Sequence, residues 1–157
     1  MLNTFYNRLK LLIELESVAE GMLEHSLEFT PVDYCSQAIR KLVLTRNCSN
    51  QAFHLYNYQY IKLDQIVDLL SEINKSVQVV SNEEFNRLTQ RVIAEQESET
   101  MLRIIPYLMN DNEPEEDNSI IHRDATITKK YFDKLDFSWP DIDENYLKKI
   151  LGYLIID

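Results

Sequence analysis

Residues 27–39 read LEFTPVDYCSQAI and predict a short extended segment followed by a helix. Pro31 lacks a backbone N–H and disfavours a helical residue before it, so the extended segment is expected to end there. Asp33 has a side chain that favours the N-cap position, and the helix is predicted to begin at this residue. The apolar positions that follow have the spacing of one helical face: Cys35, Ala38, Ile39 and Leu42.

Hydrophobic periodicity predicts helices over most of the remaining chain. The predicted helices are Asn3–Glu16, Leu63–Ile73, one opened by the capping box Ser81–Glu84, Met101–Leu108, Thr126–Leu135 and Asp143–Ile155. Two short runs, Ala52–Asn57 and Val77–Val80, have the composition of strands. The expected fold class is a helix-rich α/β domain with about six helices and two or three short strands.

The length of 157 residues fits a single domain, residues 1–157. Residues 110–119, NDNEPEEDNS, contain no apolar side chain and are predicted to form a flexible acidic loop. Every apolar run is too short to cross a membrane, and the amphipathic, acidic start is not a secretory signal. Cys35 and Cys48 give no disulfide framework, so both are expected to be reduced in a cytoplasmic protein without a membrane partner.

The formal net charge of −10 argues against nucleic acid as a partner, because binding to a phosphate backbone depends largely on lysine and arginine. Three lysines, Lys129, Lys130 and Lys134, share one segment. Their spacing is that of a solvated helix face.

The two glycines, Gly21 and Gly152, are far apart in the sequence. A dinucleotide-binding fold needs clustered glycines where the first strand turns into the first helix, and a phosphate-binding P-loop needs them as well. The chain is therefore expected to bind neither NAD(P) nor ATP by those routes.

Tyr58 and Lys62 have the Tyr-x-x-x-Lys spacing of the active site of short-chain dehydrogenase/reductases. In those enzymes the pair lies on one helix, whereas here it is predicted to lie at the end of a strand and in the following turn. Four extended residues span about 13 Å, too far for one group to shift the pKa of the other strongly. We assign the pair no catalytic role.

No metal site or nucleophile is predicted. The three histidines, His25, His54 and His122, lie on separate segments without ligand spacing. Neither cysteine has a histidine nearby in the sequence. The residues taken alone indicate an acidic binding or scaffolding domain.

Three segments resemble the carboxy-terminal part of thioester reductase domains, which terminate many nonribosomal peptide synthetases and some polyketide synthases. These segments are LEFTPVDYCSQAI at 27–39, AFHLYN at 52–57 and LDFSWPDI at 135–142, followed by YLKKI at 146–150. NTFYNRLK at 3–10 resembles the helix that precedes the first motif in that family. Asp136 stands where the family usually has glycine.

The resemblance implies that the chain is the substrate-binding and lid subdomain of an extended short-chain dehydrogenase/reductase. The amino-terminal Rossmann half, with its glycine fingerprint, its catalytic Ser/Thr-Tyr-Lys set and bound NAD(P)H, would be a partner, as would a carrier protein bearing a phosphopantetheine-linked acyl chain. The full domain would release that chain as an aldehyde or alcohol. Candidate residues near the cleft between the halves are Phe29, Pro31, Val32 and Tyr34.

In related enzymes the strand equivalent to 52–57 joins the sheet of the Rossmann half. Alone, it would expose an unpaired edge, so self-association through this strand is expected. Two other functions stay open at this point. One is an independent, non-enzymatic interaction module, and the other is the same subdomain of a carboxylic acid or acyl-CoA reductase.

Overall fold

The computed structural model describes residues 4–45, 48, 50–95 and 124–155. The helices are α1 (Thr4–Glu14), α2 (Val32–Val43), α3 (Leu63–Glu72), α4 (Asn82–Glu95), α5 (Thr126–Lys134) and α6 (Glu144–Ile155). The strands, each of three residues, are β1 (Ser17–Ala19), β2 (Ser26–Glu28), β3 (Tyr60–Lys62) and β4 (Gln78–Val80). A 3₁₀ turn covers Glu20–Met22. The structure confirms a helix-rich α/β fold.

The chain divides into two compact units. Among the described residues, the first contains 4–26, 62–95 and 143–155, and the second contains 27–45, 48, 50–61 and 124–142. The single domain over residues 1–157 stays a prediction.

The first unit is built around a parallel pair of strands. β1 pairs with β4 in the register Ser17–Gln78 to Ala19–Val80, and every residue of β1 is buried. α1 and α4 contact β1, and α3 packs against α6, where Lys148 forms an ion pair with Glu72. The fully buried side chains of this unit include Leu9, Leu12, Val18, Met22, Ile66, Leu70, Phe85 and Leu151.

The second unit packs α2 against α5. Ala38, Leu42 and Phe132 form its buried centre. The half-buried residues around them are Cys48, Phe53, Leu55, Tyr131, Leu135, Phe137 and Trp139. The Lys41 ammonium of α2 donates to the carbonyl oxygens of Leu135 (2.8 Å) and Asp136 (3.2 Å), which follow α5.

The predicted strand over residues 52–57 is wrong. The segment forms no ladder, and side-chain hydroxyls accept two of its backbone hydrogen bonds. His54 N–H donates to Thr128 Oγ1 (3.0 Å), and Asn57 N–H donates to Thr30 Oγ1 (2.9 Å). The strand lies later in the sequence, at β3, which pairs with β2. The unpaired strand edge expected at 52–57 is therefore not formed.

The predicted N-cap of α2 is also wrong. Pro31 occupies that position with φ −64° and ψ 130°, and Asp33 lies inside the first turn without a capping hydrogen bond. Proline is already restrained to the dihedral that the helix entry requires, while a carboxylate in the first turn is favoured by the helix dipole. Of the predicted core face, Ala38 and Leu42 are buried, but Ile39 is 50% exposed.

The other helices lie where the sequence predicts them, wherever the structure describes the chain. Ser81 Oγ accepts the Glu84 N–H (3.2 Å) at the start of α4, as the capping box predicts. The predicted helix Met101–Leu108 and the predicted loop 110–119 lie outside the described residues. In the described part of the chain, none of the helices is long and apolar enough to cross a membrane.

Candidate functional site

The end of α5 fixes the loop that builds the candidate site. Phe137 N–H donates to the Phe132 carbonyl (3.0 Å), while Asp136 has a left-handed backbone with φ 48°. The Phe132 and Phe137 rings are in contact, with centroids 4.5 Å apart. This bond, this dihedral and this apolar contact together define a Schellman C-cap. Its C′ position favours glycine, which explains physically why glycine is usual at this position in the family that the sequence resembles.

Replacing Asp136 with glycine is expected to raise the free energy of unfolding by up to about 1 kcal/mol, because a side chain disfavours the left-handed conformation. Asp136→Ala keeps the Cβ and removes the carboxylate, so it serves as the matched control. Chemical denaturation of the three proteins measures the effect. A glycine variant no more stable than the alanine variant would contradict the argument.

Two amide side chains hold the loop after α5 against residues 57–59. Asn57 is 3% exposed; its Nδ2 donates to the Pro140 carbonyl (3.1 Å), and its Oδ1 accepts the Gln59 N–H (3.1 Å). Gln59 exchanges two hydrogen bonds with the backbone of Ile142, from Nε2 to the carbonyl (3.2 Å) and from the N–H to Oε1 (2.9 Å). The two amides thus join residues 57–59 to the backbone of the loop, as hydrogen bonds between paired strands would.

Between these segments lies a pocket of about 470 Å³. Tyr58, Phe132, Phe137 and Trp139 give it an aromatic lining, and the rings of Phe137 and Trp139 meet edge to face at 5.4 Å. The polar residues of the lining are Asn57, Gln59, Lys129, Asp133, Ser138 and Asp141. The volume is within the range of small-molecule sites, while the lining is nearly as polar as it is apolar.

Tyr58 is the pocket residue with the most unusual environment. The Lys129 ammonium lies 4.2 Å from the centroid of its ring, a cation–π arrangement. Burial raises the pKa of the Tyr58 hydroxyl, and the nearby Trp139 indole opposes that rise. The Tyr58 oxygen and the Trp139 indole nitrogen are both buried, and neither completes a well-aligned hydrogen bond within the described residues.

Tyr58→Phe is expected to change stability at neutral pH by less than about 1 kcal/mol, because the hydroxyl lacks a well-aligned partner there. Because the folded-state pKa is raised, the folded protein holds the proton more tightly than the unfolded chain, whose tyrosines ionise near pH 10. Wild-type stability should therefore fall as the pH rises past about 10, and the variant should lose less. Denaturation at neutral and alkaline pH, with Tyr153→Phe as the exposed control, measures the difference.

The described residues give the site no recognisable catalytic set. Lys62 is exposed and forms an ion pair with Glu24 in the first unit, whereas Tyr58 belongs to the second. Burial, together with the charges of Glu28 and Asp33, raises the pKa of the Cys35 thiol, which makes it a poor nucleophile. Within the described ranges there is no cluster of three or more His, Cys, Asp or Glu residues able to hold a metal ion.

None of the four cleft candidates lines the pocket. Phe29 is 7% exposed, Pro31 and Tyr34 are half-buried, and Val32 is 80% exposed. Phe29 and Pro31 flank Thr30 in the sequence, and the Thr30 hydroxyl accepts the Asn57 N–H. Their place near a cleft stays a prediction. The pocket residues come from α5 and from YNYQ and FSWPD, two stretches that overlap or adjoin the resemblance motifs.

No protein-family profile matches the chain, and no curated protein sequence matches it. Several solved structures match the chain in fold. The fold is that of part of a terminal reductase domain of nonribosomal peptide and polyketide synthetases, which confirms the resemblance seen in the sequence.

One such structure is a thiolation–reductase di-domain from an archaeal nonribosomal peptide synthetase, with a TM-score of 0.75 and 28% identity over 98% of this chain. The reductase domain of the aureusimine biosynthetic cluster matches 99% of the chain with a TM-score of 0.71 and 20% identity. The terminal reductase domain of the myxalamid pathway matches 98% with a TM-score of 0.68 and 18% identity. The chain spans only 31%, 39% and 38% of these proteins, respectively.

Proposed function

We propose that this chain is the substrate-binding and lid part of an NAD(P)H-dependent thioester reductase, acting in the cytoplasm and inactive by itself. The complete domain would release a carrier-bound peptidyl or acyl chain as an aldehyde or alcohol. The observation that carries the proposal is the match over 98% of the chain, at 28% identity, to a reductase that is joined to a thiolation domain.

The pocket of the second unit is the proposed contact with the substrate. Its aromatic residues offer apolar surface to an acyl or peptidyl chain, and the Lys129 ammonium and Asp133 carboxylate in its lining offer polar contacts. The Asn57 and Gln59 clamp holds these walls in place. Phe29, Pro31, Val32 and Tyr34 are proposed to lie towards the other half of the domain.

The residues of this chain do not fit the nicotinamide cofactor. Gly21 lies in the 3₁₀ turn after β1, and Gly152 lies within α6. Neither stands in a glycine-rich turn from a strand into a helix, the place where a dinucleotide pyrophosphate binds. Cofactor binding and the reduction itself are therefore proposed to belong to the amino-terminal half.

Replacing the matched segment of the archaeal thiolation–reductase di-domain with this chain tests the proposal. We expect the folded chimera to oxidise NADPH when its carrier bears an acyl thioester, and to release an aldehyde or alcohol. The di-domain without the segment should not, and neither should this chain alone. A folded but inactive chimera, or turnover by the isolated chain, would overturn the proposal.

In the same chimera, Lys62→Ala is expected to leave the rate of NADPH oxidation within about twofold, because an exposed ion pair contributes little. The lysine of a working Tyr-x-x-x-Lys pair would be indispensable. A large loss of rate with retained folding would therefore show that Lys62 takes part in the reaction.

A further inference from the structure

The apolar face of helix α2 is wider than the part of it that packs in the core. Ala38 and Leu42 face the core of the second unit. Beside them, Val32 is 80% exposed, Ile39 50% and Val43 76%, and Leu44 directly after the helix is 73% exposed. We call these four residues the outer face of α2.

The spacing of three outer-face residues places them on the same side of α2. Residues 32, 39 and 43 are separated by seven and four positions, which places them along one side of a helix. The other large apolar residues that are exposed in the described part of the chain lie singly on β3, β4, α5 and α6: Tyr60, Val79, Ile127 and Tyr153. Isolated residues of this kind are ordinary, whereas a contiguous patch marks an interaction surface.

We infer that the outer face of α2 is the surface on which the cofactor-binding half of the reductase domain packs. This inference rests on the proposed function. The matched solved structures contain 31 to 39% of their chain in the region that corresponds to this protein. The remaining three-fifths or more of each belongs to the same protein chain, and a single reductase domain needs an apolar contact between its parts. A second copy fits less well, because pairing would bring together two chains of net charge −10.

The test measures binding of the full chain to the cofactor-binding half of the archaeal reductase, supplied as a separate protein. Ile39→Glu places a charge in the middle of the outer face. Ile127→Glu on α5 is the matched control, because Ile127 is 47% exposed, against 50% for Ile39, and the change in net charge is the same. Burying an unpaired carboxylate is costly, so Ile39→Glu should weaken the Kd at least about tenfold. The control should stay within about twofold.

Hydroxyl-radical footprinting provides a measurement that needs no variant. Val32, Ile39, Val43 and Leu44 should be oxidised more slowly when the other half is bound, while Ile127 should react as before. Circular dichroism shows whether both variants are folded.

The outcomes separate the two proposals. If the halves associate and the chimera is active, but Ile39→Glu binds as the unaltered chain does, the docking surface is wrong and the proposed function stands. If neither association nor chimera activity is seen, both fail. If sedimentation shows that the chain alone forms a dimer which Ile39→Glu dissociates, the outer face joins two copies and the inference is wrong.

Discussion

Phe132→Ala is expected to lower the free energy of unfolding of the second unit by about 3–5 kcal/mol, the range for truncating a buried phenylalanine. The Phe132 side chain is 3% exposed and packs with Ala38 and Leu42. Its ring also contacts Phe137 at 4.5 Å and Trp139 at 6.0 Å between centroids. Truncation therefore removes the apolar contact that closes the C-cap of α5 and one wall of the pocket.

Ile127→Ala is the control for Phe132→Ala, because it truncates a large apolar side chain on the same helix that is 47% exposed. Its effect should stay within about 0.5 kcal/mol. Urea denaturation followed by the fluorescence of Trp139, the single tryptophan of the chain, reports on this unit directly. Equal losses in the two variants would show that Phe132 does not organise the core of the unit.

The sequence predicts the helices best where one apolar face is continuous. The face of α3 contains Leu63, Ile66 and Leu70, all buried, and the capping box at Ser81 marks the start of α4. The short strands are harder to predict. β1 has three residues and pairs with β4, which lies about sixty positions later, so its pairing depends on tertiary contacts rather than on local pattern.

The error at 52–57 has a specific cause. Aromatic and β-branched content predicts a pleated, half-buried segment, but it cannot show which groups accept the backbone hydrogen bonds. Here the acceptors include the hydroxyls of Thr30 and Thr128, which the sequence gives no reason to place there. One sequence signal did point to the site. Asp136 occupies a position where the resembling family has glycine, and this is the left-handed residue that starts the pocket loop.

The sequence did not predict the pocket, for a related reason. The motif at 27–39 drew attention to Phe29, Pro31, Val32 and Tyr34, yet the pocket is lined by residues 57–59, by residues of α5 and by residues 137–141. The first and last of these segments are about eighty positions apart, and the amides of Asn57 and Gln59 bring them together. Amide-to-backbone hydrogen bonds have no sequence period, so periodicity cannot reveal such a clamp.

Asn57→Asp is expected to destabilise the protein by about 2–4 kcal/mol at neutral pH, because a buried carboxylate replaces a neutral amide. Asn57 is 3% exposed, and its Nδ2 donates to the Pro140 carbonyl, which can only accept. An ionised aspartate would place a negative oxygen against that carbonyl. The protonated acid could still donate to it, so burial and the carbonyl should both raise the folded-state pKa of the new carboxyl.

The pH dependence of the stability of Asn57→Asp follows from the raised folded-state pKa of the new carboxyl. An aspartate in the unfolded chain ionises near pH 3.9. Because the folded-state pKa would be higher, the penalty is absent below about pH 3.9, grows as the pH rises, and is complete above the folded-state pKa. The difference in unfolding free energy between variant and wild type should therefore shrink on acidification.

Asn145→Asp is the control, because it makes the same chemical change at an exposed position in α6. It should differ from wild type by less than about 0.5 kcal/mol at either pH. If the Asn57→Asp penalty were the same at pH 4 and pH 7, the introduced group would not be buried against Pro140, and the clamp would not hold the pocket loop as described.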